Sequence, residues 1–126
     1  MDFEQGQLDQ AIDHVIATAA STGGLTNYTQ VLSAAGLPPT AVETIPGFMA
    51  AFHARCAERD LPPLDALVVH AAGPRRDFPE PGYFRTNGHP DPVLETTPMA
   101  DRRDATVFWL HQIQTCRLWA SRTSRA

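Results

Sequence analysis

The sequence predicts a single α+β domain: a helical N-terminal half, a small antiparallel sheet and a long C-terminal helix. The chain has 126 residues and 43% hydrophobic content, which is typical of one folded domain covering residues 1–126. Apolar residues recur at helical spacing in its first half and again near its end. Between these regions, a β-branched run followed by a Pro-rich and Gly-rich loop indicates a strand and a turn.

Two helices are predicted before residue 37. The first is stopped by Gly23-Gly24, and its apolar face consists of Leu8, Ile12, Val15, Ile16 and Ala19. The second spans residues 27–35. Asn27 or Thr26 is its expected N-cap, and Gly36 occupies the C′ position, which favours positive φ.

A third, longer helix is expected after residue 40. Thr40 and Glu43 have capping-box spacing, and Pro46 suits the first turn of a helix. The Leu-Pro-Pro sequence at 61–63 ends it, and its buried face is predicted to contain Phe48, Phe52 and Cys56.

The sheet is predicted from a strand at 65–72 and a second, antiparallel strand at Tyr83-Phe84, with the loop running to about Pro98. A final helix follows, capped by Asp101 or Asp104, and residues 121–126 form a frayed tail. The core residues predicted for this helix are Val107, Phe108, Leu110, Ile113, Leu118 and Trp119. Phe108 and Trp119 are eleven positions apart, three helical turns, and are expected on one core stripe.

Composition favours a cytoplasmic protein with no membrane segment. The longest apolar runs are far shorter than the roughly 20 residues of a membrane span, and Asp2 and Glu4 stand where a signal peptide would be basic. Cys56 and Cys116 form no C-x-x-C unit and are expected to be reduced core residues.

Charge is distributed unevenly along the chain. Residues 1–60 carry seven acids and two arginines, whereas residues 61–126 carry eight arginines and seven acids. All basic residues are Arg, which suits bidentate anion recognition but also fits a GC-rich genome. The net charge of −4 gives no general basic footprint for nucleic acid, so such binding would need a local patch.

The segment LTNYTQVLSAAGLP at 25–38 resembles the helix-turn-helix opening of the DNA alkyltransferase-like winged-helix domains. The segment LPPLDALVVHAAG at 61–73 is similar to the strand that follows their recognition helix. The resemblance implies a winged-helix fold and DNA binding. The family's Pro-Cys-His-Arg active site is missing, since Pro62 precedes Pro63-Leu64-Asp65, so alkyl transfer is excluded. The first likeness is carried by Tyr28, Leu32, Ala35 and Gly36.

The chain also resembles small, uncharacterised bacterial proteins that share this order of parts. The matching elements are LPPLDALVV at 61–69, PGYF at 81–84 and FWLHQIQTCRLW at 108–119. This likeness covers most of residues 25–120 and implies a fold without implying a function.

The loop after the strand is the predicted functional surface. Arg75, Arg76 and Arg85 with Tyr83 can clamp a phosphate or carboxylate, because Arg offers a planar fork of donors. The alternative is a surface loop whose arginines are paired internally with Asp77 and Glu80.

Two functions remain open. One is a non-enzymatic, winged-helix-like binding module that contacts nucleic acid or a protein through its second and third helices or its Arg-rich loop. The other is a small enzyme or ligand-binding protein with a pocket at the strand end. There His70 would act as acid or base, and Arg76 and Tyr83 would orient an anionic substrate. No cofactor is predicted.

Three further features have structural and functional interpretations. His53 and Cys56 are spaced i, i+3, as metal ligands or a nucleophilic pair can be, but two ligands do not make a site and no metal is predicted. Cys56 shares a face with Phe residues, which favours inert packing. Trp109 and Trp119 are either interface anchors or core residues.

Overall fold

The computed structural model describes residues 3–22, 24–38, 42–72, 76–89 and 99–124. These ranges are mostly helical with a two-stranded sheet, which agrees with the α+β class. The elements are α1 (Gln5–Thr22), β1 (Thr26–Asn27), α2 (Tyr28–Ala34), α3 (Ile45–Glu58), β2 (Val68–Val69), α4 (Pro81–Thr86) and α5 (Met99–Ser124). Two 3₁₀ turns, Val42–Thr44 and Leu64–Leu67, precede α3 and β2.

The first two helices follow the sequence prediction. The Asn27 side chain caps α2 by accepting the Gln30 N–H at 3.0 Å, so Thr26 is left to β1. Gly36 has a φ of +75°, the left-handed conformation that ends helices and suits glycine. The apolar face of α1 is buried, with Ile16 packed at its edge.

Helix α3 has Pro46 in its first turn and ends before the Leu-Pro-Pro sequence, as predicted. Thr40 of the expected capping box lies outside the described residues, and Glu43 belongs to the 3₁₀ turn rather than to the helix. Thr44 precedes the helix without a side-chain capping bond. The predicted buried face is confirmed, with exposures of 0 to 1% for Phe48, Phe52 and Cys56.

The sheet is parallel, so the antiparallel prediction is wrong. Thr26 pairs with Val68 and Asn27 with Val69. The connection explains the direction, because residues 28–67 with α2 and α3 form a long crossover, the kind of link that parallel strands require.

The strand predicted at 65–72 is reduced to Val68–Val69, with an isolated bridge between His70 and Arg76. The preceding Leu64–Leu67 segment is a 3₁₀ turn, in which the Ala66 N–H donates to the Pro63 carbonyl at 3.0 Å. Because all four residues of this turn are buried, their composition resembles that of a buried strand. Apolar composition alone does not distinguish the two.

The second strand predicted at Tyr83-Phe84 is also wrong, because these residues belong to α4. Glu80 caps this helix: its carboxylate accepts the Gly82 N–H at 2.9 Å, and Pro81 occupies the first helical position. Proline fits there because the first N–H groups of a helix need no intrahelical partner.

Helix α5 begins at Met99, so Asp101 and Asp104 lie inside it rather than capping it. It runs to Ser124, so residues 121–124 are helical and the frayed tail predicted from residue 121 is wrong for them. Residues 125–126 lie outside the described residues. The predicted core face is wrong for Val107, Leu110 and Leu118, which are 53%, 53% and 45% exposed. The buried face comprises Ala105, Trp109, Ile113, Cys116 and Ala120.

Two hydrogen bonds explain which face of α5 is buried. The Trp109 indole N–H donates to the Ala66 carbonyl at 2.8 Å, and the Cys116 thiol donates to the Pro63 carbonyl at 3.2 Å. Both bonds join α5 to the 3₁₀ turn before β2. Trp109 is therefore a core residue, whereas Phe108 and Trp119 are only partly buried beside the core.

The core lies where α1, α3, α5 and the Leu64–Leu67 turn meet. Helix α2 packs on α1 and β2, and α4 packs on α3. Within the described residues, no helix combines the length and apolar character needed to cross a membrane.

Candidate functional site

A pocket of about 260 Å³ lies at the carboxyl ends of the two strands. Parallel strands end at the same edge of a sheet, and loops at that edge are a common position for ligand sites. Polar groups line one part of the pocket, and the remainder is apolar. The lining residues are Leu25, Thr26, Asn27, Val69, His70, Ala71, Arg76 and Asp77.

The two charged residues of this pocket are exposed, and neither has an ionic partner in the described part of the chain. Among the described residues, the Arg76 guanidinium and the Asp77 carboxylate form no ion pair with each other or with any other group. The internally paired loop considered from the sequence is therefore wrong for Arg76. Glu80, the other acid expected to neutralise it, is 5% exposed and caps α4 instead.

Backbone hydrogen bonds hold this loop against the end of β2. The His70 N–H donates to the Phe78 carbonyl and the Asp77 N–H donates to the His70 carbonyl, both at 2.9 Å. Phe78 in turn packs against Trp109, with ring centroids 5.2 Å apart. The charged residues therefore sit on a segment fixed to both the sheet and α5.

His70, which was predicted to lie at the strand end, lines the pocket. Its ring makes an edge contact with Tyr28, at a centroid distance of 4.8 Å, and the Tyr28 hydroxyl accepts the Glu80 N–H at 2.7 Å. Thr26, another lining residue, is fixed by polar side chains: its hydroxyl donates to Gln30 and lies 2.8 Å from His14 Nε2.

Tyr83 does not line the pocket. Its side chain packs between Phe84 and Phe108, and the residue is 3% exposed. Its hydroxyl has no hydrogen-bond partner among the described residues, and burial together with the negative charge of Asp65 raises its pKa. The structure thus separates Tyr83 from His70 and Arg76, its predicted partners in an anion clamp.

The other predicted arginines also lie apart from this pocket or cannot be placed. Arg85 is exposed on α4, has no ion pair among the described residues and is not a lining residue. Arg75 lies outside the described residues. Of the residues predicted to bind or act on a ligand, the pocket therefore contains His70 and Arg76.

A second polar cluster is buried beneath α3 and α4. Asp65, 3% exposed, places its carboxylate 3.2 Å from His53 Nδ1 and accepts the Asn87 side-chain N–H at 3.0 Å. The hydrogen bond from His53 to Asp65 raises the imidazole pKa; burial opposes this shift and the carboxylate charge adds to it. Asn87 also donates to the Tyr83 carbonyl at 2.9 Å, which joins the cluster to α4.

Both cysteines are buried and feel the charge of Asp65. Burial, with the negative charge of Asp65, raises the pKa of Cys56 and that of Cys116 to about 12. Inert packing of Cys56 is therefore the better interpretation of its sequence position. Across the described ranges, no group of three or more His, Cys, Asp or Glu side chains is arranged to hold a metal ion.

Arg55 on helix α3 and Arg59 just after the helix are directed towards α1. The resemblance to winged-helix domains predicts that this helix is the recognition helix. Arg55 donates to Asp9 at 2.8 Å and 3.1 Å and to Glu58 at 3.0 Å, while Arg59 reaches Asp9 at 3.3 Å. The bond from Arg55 lowers the pKa of Asp9. These arginines are therefore engaged in an ionic network between the two helices.

Sequence reasoning missed the Asp65 cluster, although one signal was available. An aspartate inside the apolar run at 64–69 must either point to solvent or find a partner. Its partners are His53 on α3 and Asn87 at the end of α4. Their spacing in the sequence does not indicate that they lie close together.

Comparison with protein-family models, with curated proteins and with solved structures gives no match to this chain.

Proposed function

We propose that the protein is a small ligand-binding domain that takes an anionic group into the strand-end pocket, the cavity between Asn27, His70 and Arg76. The observation that carries this proposal is Arg76, an exposed residue that lines the pocket and whose guanidinium forms no ion pair among the described residues. A guanidinium binds carboxylates and phosphates through parallel hydrogen bonds. His70 lines the same pocket.

Binding is favoured over catalysis because the expected acid and base are not together. The proposed enzyme needed His70 and Tyr83 on one substrate, yet Tyr83 is buried and its raised pKa disfavours ionisation. A general acid or base must reach the reacting group. Arg76 remains as the group available to hold a ligand in the pocket.

Titration with small carboxylates and inorganic phosphate, followed by amide chemical shifts, tests the proposal. We expect the largest shifts at residues around the pocket. Arg76→Ala should weaken binding about fivefold to tenfold, the effect of one partly exposed charge-assisted contact. Arg85→Ala is the matched control, because this exposed arginine is also unpaired among the described residues but lies outside the pocket. Equal losses from the two variants would contradict the proposal.

The winged-helix-like order and a nucleic-acid or protein partner remain predictions. A nucleic-acid or protein partner is favoured by one observation: Arg76 and Arg85 are both exposed and unpaired among the described residues. The ionic network of Arg55 and Arg59 weighs against α3 as the contacting element.

Fluorescence anisotropy with mixed-sequence duplex DNA at several salt concentrations distinguishes this second function. Replacing Arg75, Arg76 and Arg85 with Ala should then weaken binding and flatten the salt dependence by about 0.9 per lost phosphate contact. If the partner is instead a protein or a small anion, the anisotropy titration with DNA should show no such salt dependence. Absence of DNA binding at low salt would overturn the nucleic-acid function and leave the pocket.

A further inference from the structure

The strand-end pocket carries a negative charge beside its positive one. Asp77 and Arg76 are adjacent in the chain and both line the cavity, yet no ion pair joins them. A ligand with only an anionic group would gain from Arg76 and be repelled by Asp77. A ligand that satisfies both must carry charges of both signs.

The backbone at Asp77 is unusual for a non-glycine residue. Its φ is +66°, in the left-handed region, and the bond from its N–H to the His70 carbonyl at 2.9 Å holds it there. Asp tolerates this conformation better than most residues, but Gly adopts it with less strain. A carboxylate therefore stands at a position where the backbone alone would favour glycine.

We propose that the ligand of this pocket is a small zwitterion, an amino-acid-like molecule whose carboxylate contacts Arg76 and whose ammonium group contacts Asp77. This inference rests on the proposed function and specifies its ligand class. The volume of about 260 Å³ is below the roughly 300–1,000 Å³ of pockets for drug-sized ligands, which suits a small molecule. Leu25, Val69 and Ala71 provide an apolar wall for its hydrocarbon part.

A matched series of ligands tests the two charges separately. 2-Aminobutyrate and 4-aminobutyrate carry both charges at different separations, butyrate carries only the carboxylate, and propylamine carries only the ammonium group. Their dissociation constants are measured by amide chemical-shift titration of the full chain. We expect one of the two amino acids to bind about fivefold more tightly than butyrate and propylamine, the effect of one additional exposed charge contact.

Asp77→Asn should abolish the preference for the amino acid over butyrate while retaining the fold, because Asn also tolerates left-handed φ. Asp60→Asn is the control: Asp60 also has a positive φ, of 56°, but follows α3 and does not line the pocket. Equal or tighter binding of butyrate would overturn the zwitterion inference and leave the anion pocket in place. Binding of none of the four ligands and no binding of inorganic phosphate would overturn the proposed function itself.

Discussion

The Asp65 cluster and the strand-end pocket each place an aspartate near a histidine, but the two carboxylates differ in burial and in hydrogen bonding. Asp65 is buried, and its carboxylate is engaged by His53 and Asn87. Asp77 is exposed, and its carboxylate is unpaired among the described residues. A buried charge needs partners to offset lost hydration, whereas an exposed charge is stabilised by water and remains available to a ligand. The first cluster therefore stabilises the fold, and the second is the place where we propose that a ligand binds.

The largest expected effect follows removal of the buried carboxylate. Asp65→Ala leaves the imidazole of His53 and the amide of Asn87 without their shared partner. Loss of one member of a buried, hydrogen-bonded pair should lower the free energy of unfolding by roughly 3–5 kcal/mol, measured by urea denaturation. Asp77→Asn is the control, because Asn tolerates the left-handed φ of this position, and a change of about 1 kcal/mol or less is expected at an exposed site. Similar losses from both variants would show that the two aspartates do not differ in role.

Trp109 connects the two regions, because its indole donates to Ala66 beside Asp65 while its ring packs on Phe78 beside Asp77. Trp109→Phe retains an aromatic ring but leaves the buried Ala66 carbonyl without this donor. We expect a loss of about 2 kcal/mol in urea denaturation. Trp119→Phe, at a partly buried position, should cost less. A larger loss from Trp119→Phe than from Trp109→Phe would mean that α5 is fixed mainly by contacts near its C-terminal end.

The sequence predicted the N-terminal helices because their signals are local. Asn27 caps α2, Gly36 adopts the positive φ that ends it, and Pro46 fixes φ in the first turn of α3. Each residue acts within one helical turn of its own position. The predicted cysteine burial also held, because Cys56 repeats the spacing of the apolar residues before it.

The sheet and the face of α5 depend on contacts distant in sequence, and there the prediction was wrong. The run at 64–69 is apolar because it is central, and its conformation is decided by the preceding prolines and by bonds from Trp109 and Cys116. For the candidate site, His70 was predicted at the strand end and Arg76 in the loop after it, and both line the strand-end pocket. The sequence did not show that Tyr83 packs into the core, which follows from the helix capped by Glu80.

The pH dependence of stability should distinguish the buried cluster from the pocket. The folded-state pKa of His53 is raised above the unfolded value of about 6.5. The imidazolium–Asp65 interaction is therefore fully present below that pH and is lost as the pH rises through the folded pKa. Urea midpoints should fall over this range in the wild type.

His53→Gln should remove this part of the decrease, and His111→Gln, on the exposed surface of α5, should leave it unchanged. The comparison between variants and wild type isolates His53 from the other histidines. An identical pH profile for His53→Gln would mean that Asp65 does not depend on the imidazolium for its stability.

The smallest expected effect concerns the backbone of the pocket loop. Asp77→Gly removes a carboxylate that has no partner among the described residues and relieves a φ of +66°. We expect the free energy of unfolding to stay the same or to rise by about 0.5 kcal/mol, because relief of the left-handed strain is partly offset by the greater entropy of glycine in the unfolded chain. Asp60→Gly, with a φ of 56°, should behave alike and serves as the matched position. A loss above about 1 kcal/mol at Asp77 alone would mean that its carboxylate stabilises the fold, as Asp65 does, and would remove the contrast on which the ligand assignment depends.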